Sequence, residues 1–188
     1  MEIIEYYNWV QKELKNTSNN DNIIDMLNCS IGLMEESCEF VEIIDCHKQH
    51  SEIRTDKLFM EEFGDFSWYL VAMFHLHYGD KGHEMLSFLI NVNLSKDTYF
   101  HPNVIMVKSG RIIGKFKKIL FLGKEYENER GYIEDSLHEI VKEYVSIIVY
   151  LRLNLNSILE ENYKKLNDRY PDGRKLSYKL ELNKILLN

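Results

Sequence analysis

Apolar residues recur every three or four positions along most of the chain, and turn formers interrupt them at only a few places. The spacing predicts a short amphipathic helix over "MEIIEYYNWVQKELK", followed by turn and cap residues in "NTSNNDN". From about Asp21 to Gln49, Ile24, Leu27, Ile31, Met34, Cys38 and Val41 fall at helical spacing and mark the expected buried stripe of a second helix. "KQHSEIRT" reads as a polar connection. A third helix is expected from about Asp56 to Tyr78, with Phe59, Phe63, Phe66, Leu70, Met73 and Phe74 inward and Gly79 and Gly82 closing it. "HEMLSFLINVNL" predicts a fourth helix, and "SKDTYFHPN", punctuated by Pro102, is the best break in the chain. A fifth helix is expected over roughly 104 to 125, with "YENERGY" polar and turn-like after it. A long sixth helix follows from about Glu134 to Asn154, and "SILEENYKKLNDRY" forms a last one, stopped by "PDG".

Composition sharpens this to an all-α fold. The 188 residues contain two prolines and nine glycines, too few breakers for a strand-and-turn protein. A hydrophobic fraction of 45% is enough for a packed core. The net charge of −7 argues against a general nucleic-acid binder, which needs a basic surface. The three cysteines, Cys29, Cys38 and Cys46, share one helical segment, are odd in number and fit no zinc spacing, as expected for reduced thiols in a cytoplasmic protein. "MEIIEYYNWV" opens acidic and polar, unlike a signal peptide. No apolar run approaches the roughly 18 residues needed to cross a bilayer, so no membrane partner is expected.

The second and third helices carry the candidate chemistry. Glu35, Glu36, Glu39 and Glu42 crowd the stretch "GLMEESCEFVEI". Glu36 and Glu39 are three residues apart and share a face, as do Glu62 and Asp65 on the next helix. A short polar connection makes antiparallel packing the expected arrangement, so carboxylates from both helices can converge. Such a cluster is costly without a cation, and oxygen-only ligands suit Mg²⁺ or Mn²⁺. The competing reading is two solvated acidic faces. Large neighbours (Phe40, Phe63, Phe66, Trp68) and the repeated spacing speak against it. A di-iron centre would need Glu-x-x-His pairs, and none of the seven histidines lies three residues after a glutamate.

"GLMEESCEF" followed by "EEFGDFSWYL" resembles the MazG-like branch of the all-α nucleoside triphosphate pyrophosphohydrolases, whose signature is Glu-Glu-x-x-Glu, a gap, then Glu-x-x-Asp. The tail "ENYKKLNDRYPDGR" resembles the end of small phage and bacterial MazG-like proteins at Asn162, Lys165, Leu166, Arg169, Tyr170, Pro171 and Gly173. The resemblance implies a MazG-like antiparallel helical bundle over 1–188, with a metal-binding helix pair at 21–80 and a C-terminal Arg-Tyr-Pro helix at 145–174. It implies hydrolysis of a (d)NTP to the monophosphate and pyrophosphate in a cytoplasmic, bacterial or phage-infected cell. Glu36, Glu39, Glu62 and Asp65 would hold Mg²⁺ or Mn²⁺, and Glu35 would act as base or support a ligand. Asn162, Lys165 and Arg169 would contact phosphate or sugar, with Lys48 a weaker candidate. The dimeric dUTPase and dCTPase relatives make a homodimer the expected assembly.

Residues 80–140 depart from the small MazG-like pattern and are either an insertion or a degenerate second copy of the helix pair. "GRIIGKFKKILFL" and "KEYVSIIVYL" align with the two acidic segments, setting Gly114 against Glu36, Lys117 against Glu39, Glu143 against Glu62 and Ser146 against Asp65. On that alignment Lys117 is a further candidate for contact with nucleotide. Trp9, Trp68 and Tyr69 could stack on a base, but core packing is their default role. Two other classes stay open: a nucleotide-binding or sensing module with little turnover, and a helical bundle acting through protein contacts.

Overall fold

A computed structural model describes residues 1–17, 22–49, 56–94 and 100–171. The turns in "NTSNNDN", "KQHSEIRT" and the start of "SKDTYFHPN", the side chain of Lys48, and Gly173 lie outside that description. The described chain is all-α, in the order α1 (Ile3–Thr17), α2 (Asn22–Gln49), α3 (Asp56–Tyr78), a short 3-10 turn (Gly79–Lys81), α4 (Gly82–Leu94), α5 (Pro102–Leu122), α6 (Tyr126–Tyr150) and α7 (Leu155–Arg169). No helix among the described residues is long and apolar enough to cross a membrane.

The middle of the fold is α3, which meets α1, α2, α4, α6 and α7. The inward residues expected for it are all buried: Phe59, Phe63, Phe66, Leu70, Met73 and Phe74. Phe40 of α2 and Tyr144 of α6 close on them, with ring centroids 4.4 Å apart for Phe40 and Phe63 and 5.0 Å for Phe66 and Tyr144. Aromatic pairs at such spacing add to the burial term. The Tyr144 hydroxyl is satisfied in this apolar setting by Ser67 Oγ at 2.6 Å and by the Phe63 carbonyl at 3.1 Å.

The helices pair as two hairpins, α2 with α3 and α5 with α6, joined where α2 lies along α5. In the first hairpin Gly32 admits the ring of Tyr69: a Cβ at that position would lie 2.2 Å from Tyr69 Cε1. Between the hairpins Ser37 Oγ and Ser109 Oγ meet at 3.0 Å, both buried.

Three local expectations need correction. The buried stripe of α2 is Met26, Cys29, Leu33, Phe40 and Ile44, whereas Ile24, Ile31 and Cys38 are exposed and only Val41 of the expected set is buried. Because α2 is packed by α3 and by α5, apolar residues occur on several of its faces, and periodicity alone chose the wrong one. "YENERGY" is helical rather than a turn, since α6 starts at Tyr126. That turn of helix is held from its flanks, by Tyr126 Oη on His77 Nδ1 at 2.6 Å and by Lys115 on Glu129 at 2.6 Å. At the other end α6 stops at Tyr150, not Asn154, because Arg152 turns left-handed at φ 54°. The Leu153 N–H then returns to the Ile148 carbonyl and the Arg152 N–H to Val149, a Schellman closure with arginine in place of glycine.

Candidate metal centre

Antiparallel pairing of α2 and α3 sets one turn of each helix against the other, with Glu36 and Glu39 facing Glu62 and Asp65. Carboxylate oxygens of Glu36, Glu62 and Asp65 all lie within 4.8 Å of one another. Glu39 is exposed at the edge and hydrogen-bonds to Glu62. One oxygen of Glu36, Oε2, is buried and has no hydrogen-bond partner. A buried carboxylate oxygen without a donor carries a desolvation penalty that a protein ordinarily avoids.

The electrostatics follow from this crowding. Burial, and then Asp65, Glu39, Glu62 and Glu35, push the Glu36 carboxyl up to about 8. Burial and the hydrogen bond and charge of Glu39, with Asp65 behind them, push Glu62 up to about 7, while Lys165 pulls the other way. The cluster therefore holds protons at neutral pH that ordinary surface carboxylates would have lost.

Only Asp65 is well compensated, and α7 supplies the compensation. Asn162 Nδ2 donates to Asp65 Oδ1 at 2.8 Å, and Lys165 Nζ reaches Oδ2 at 2.5 Å. Asn162 sits in the buried stripe of α7 with Ile158, Leu159 and Leu166. Its own carbonyl accepts from the Tyr6 hydroxyl at 2.6 Å, which fixes the amide so that its NH₂ points at Asp65. The approach of α7 is set by Gly64, where a Cβ would stand 2.7 Å from Asn162 Cβ. Neither Tyr6 nor Gly64 was among the sequence candidates. A glycine inside a strong helical pattern was the available signal for Gly64; Tyr6, near the chain start, gave none.

The structure thus brings Glu36, Glu39, Glu62, Asp65, Asn162 and Lys165 together. Glu35 is exposed beside them, close enough to raise Glu36. Arg169 is exposed in the last turn of α7. Lys117 is not brought in. It is exposed, and α5 meets α2 through Ser109 and Gly110, which face Ser37 and Met34. Those contacts run antiparallel, so Lys117, two turns further along α5, lies toward the N-terminal part of α2 and away from Glu39. The base-stacking candidates are packing residues: Trp68 is buried, Tyr69 lies on Gly32, and Trp9 meets Tyr163 edge-on at 5.2 Å.

A divalent cation fits the donor set. Three carboxylates converge, one presents a buried oxygen with no donor, and no histidine or cysteine is among them. Hard oxygen donors of this kind suit Mg²⁺ or Mn²⁺. No family model, no curated protein and no solved structure matches the chain.

Proposed function

We propose that the protein is a metal-dependent nucleoside triphosphate pyrophosphohydrolase. The observation that carries this reading is the unpartnered, buried Glu36 Oε2 within a triad of carboxylates. It is joined by the likeness of residues 32–40, 61–70 and 161–174 to MazG-like enzymes. In this reading Glu36, Glu39, Glu62 and Asp65 hold Mg²⁺ or Mn²⁺. When bound, the cation would offset charge on phosphoryl oxygens and acidify a water.

The chain's own groups account for the remaining steps. Lys165 lies where it can exchange Asp65 for a phosphate oxygen, and Asn162, anchored by Tyr6, keeps Asp65 in place as it does so. Arg169, one turn further on, is free to follow the outer phosphates. Water oxygen bonds to the α-phosphorus as the bridge to the β-phosphorus breaks. Pyrophosphate leaves with the electron pair, and exposed Glu35 takes the water's proton. A homodimer in the cytoplasm belongs to the same reading, and exposed Ile31 on α2 offers apolar surface to a second copy.

A screen of (d)NTPs and ppGpp for pyrophosphate release with Mg²⁺ or Mn²⁺ tests the activity. Release from at least one, lost in Glu36→Gln, is the expected result; release from none overturns it. The second reading, a nucleotide sensor with little turnover, is favoured by one feature only. Both oxygens of Asp65 are already engaged by α7, which leaves it a less available ligand than Glu36.

A further inference from the structure

Beside the acidic cluster, between α3 and α7, lies a cavity of about 300 Å³ lined by Lys57, Met60, Glu61, Glu161, Asn162 and Lys165. It is not part of the carboxylate triad, but it shares two walls with it. Asn162 and Lys165 line the cavity and also hold Asp65. On α3, Lys57, Glu61 and Asp65 follow at four-residue spacing along one face, so the cavity continues the face that carries the acids. The cavity and the cluster therefore adjoin through Asn162 and Lys165, so a ligand whose phosphates meet the acids can extend its other end into the cavity.

The chemistry of the lining narrows the occupant. Met60 supplies polarizable apolar surface suited to a flat ring. Glu61 and Glu161 are its carboxylates, Lys57 is its outer ammonium, and Lys165 is already paired with Asp65, so the lining away from the cluster has no surplus positive charge for a second phosphate. Glu61 meets Lys57 only at 4.0 Å, and Glu161 meets Lys164 at 3.6 Å, loose surface pairs that leave acceptor capacity. A carboxylate accepts well from an exocyclic amine or from the adjacent N–H groups of guanine. It is opposed by uracil and thymine, whose single ring N–H is flanked by two carbonyls.

We propose that this cavity receives the nucleobase of the substrate and that Glu61 and Glu161 select bases bearing an amino group. The proposal rests on the pyrophosphohydrolase reading for the triphosphate, but it concerns residues outside the metal cluster.

The test is calorimetric binding, in Mg²⁺, of non-hydrolysable α,β-imido deoxynucleoside triphosphates against inorganic tripolyphosphate. Amino-bearing analogues should bind at least about 10-fold tighter than tripolyphosphate and than the thymine or uracil analogues, the worth of one charge-assisted hydrogen bond. Met60→Trp, which narrows the cavity and removes the methionine's contact surface, should bring nucleotides close to the affinity of tripolyphosphate. Glu61→Gln, at a half-exposed position that does not endanger folding, should remove about 10-fold of the amino preference. Both variants should keep the wild-type affinity for tripolyphosphate and the wild-type thermal shift with Mn²⁺. Retention of base preference in both variants overturns the proposal, as does a wild-type preference for uracil or thymine. Tripolyphosphate bound as tightly as every nucleotide overturns the base site but leaves the metal and phosphate reading standing. If no triphosphate binds, both fall.

Discussion

The two helical hairpins treat their acids differently. In α2–α3, Glu36 has a buried oxygen with no donor, and its neighbours are other carboxylates. In α5–α6 the acid that aligns with Glu62 is Glu143. It is buried to 7% exposure, yet it accepts from the His101 N–H at 2.7 Å, at the start of α5. That N–H is one of the orphan donors every helix start presents, so Glu143 is a cap. One hairpin spends its acid on its own fold and the other leaves its acids facing each other. The difference teaches that burial of a glutamate says little; what the carboxylate faces decides whether it is structural or available to a ligand.

The sharpest break of the comparison is by activity. Glu36→Gln or Glu62→Gln should lower pyrophosphate release by about 100-fold or more, since a metal site missing a donor loses affinity and position together. Glu143→Ala should leave the rate per folded molecule within about 2-fold and cost about 1–3 kcal/mol of stability, read by denaturant titration. Equal loss of rate in both hairpins would erase the distinction.

Metal provides the next contrast. Mg²⁺ or Mn²⁺ at about 100 times its Kd should stabilise the protein by about 2.7 kcal/mol, seen as a higher Tm. Glu36→Gln should lose most of that gain and Glu143→Ala should keep it. A Tm unmoved by metal in the wild type, with and without nucleotide, would count against the site.

Packing separates the hairpins on a smaller scale. Gly32→Ala puts a methyl 2.2 Å from the Tyr69 ring and should destabilise by about 1–3 kcal/mol. Gly114→Ala meets nothing within 4 Å and should stabilise by up to about 1 kcal/mol through helix propensity. Thermal melts of the two variants give opposite signs if α2 and α5 are packed as described.

A further contrast is in pH. Glu36 and Glu62 have folded values of about 8 and about 7, above the 4.5 of a free glutamate. The folded chain therefore keeps protons that the unfolded chain releases. Their contribution to stability is full below pH 4.5 and is lost as pH rises through the folded values. Metal-free protein should melt lower at about pH 9 than at about pH 5, and saturating Mg²⁺ should remove the fall. A metal-free Tm that rises over that range would contradict the assignment for these two groups.

The helices were legible because their apolar spacing is strong, above all in α3, which is surrounded by five other helices and buries most of the large apolar residues it carries. The inward face of α2 was not, because α2 also carries apolar residues on its open side, Ile24 and Ile31, which fall at the same helical spacing as its buried ones. The acid pairs were legible as a spacing, Glu36 with Glu39 and Glu62 with Asp65. Their mutual approach required the antiparallel pairing of two helices, which their short connection supports. What α7 does was legible only in part. Asn162 and Lys165 carried a signal through their likeness to a known tail. Tyr6, which aims Asn162, is 156 residues away in sequence, and no local pattern reports such a contact. Lys117 is exposed and is not brought to the acids of its own chain, since an alignment of two hairpins states which positions correspond, not which ones touch.

The bond from Lys165 to Asp65 spans 100 residues. Glu36, Glu62 and Asp65 belong to one local hairpin that can pair early, whereas their lysine arrives with the last helix. Contacts of such long sequence separation form late, after the loop-closure entropy between them has been met. A chain emerging from the ribosome would therefore assemble its acidic face before α7 exists to neutralise any part of it. During that interval bound protons and dissolved cations are what can offset the repulsion, so divalent metal should speed the docking of the hairpin in refolding, most of all at high pH where the protons are lost, and have little influence on the later seating of α7.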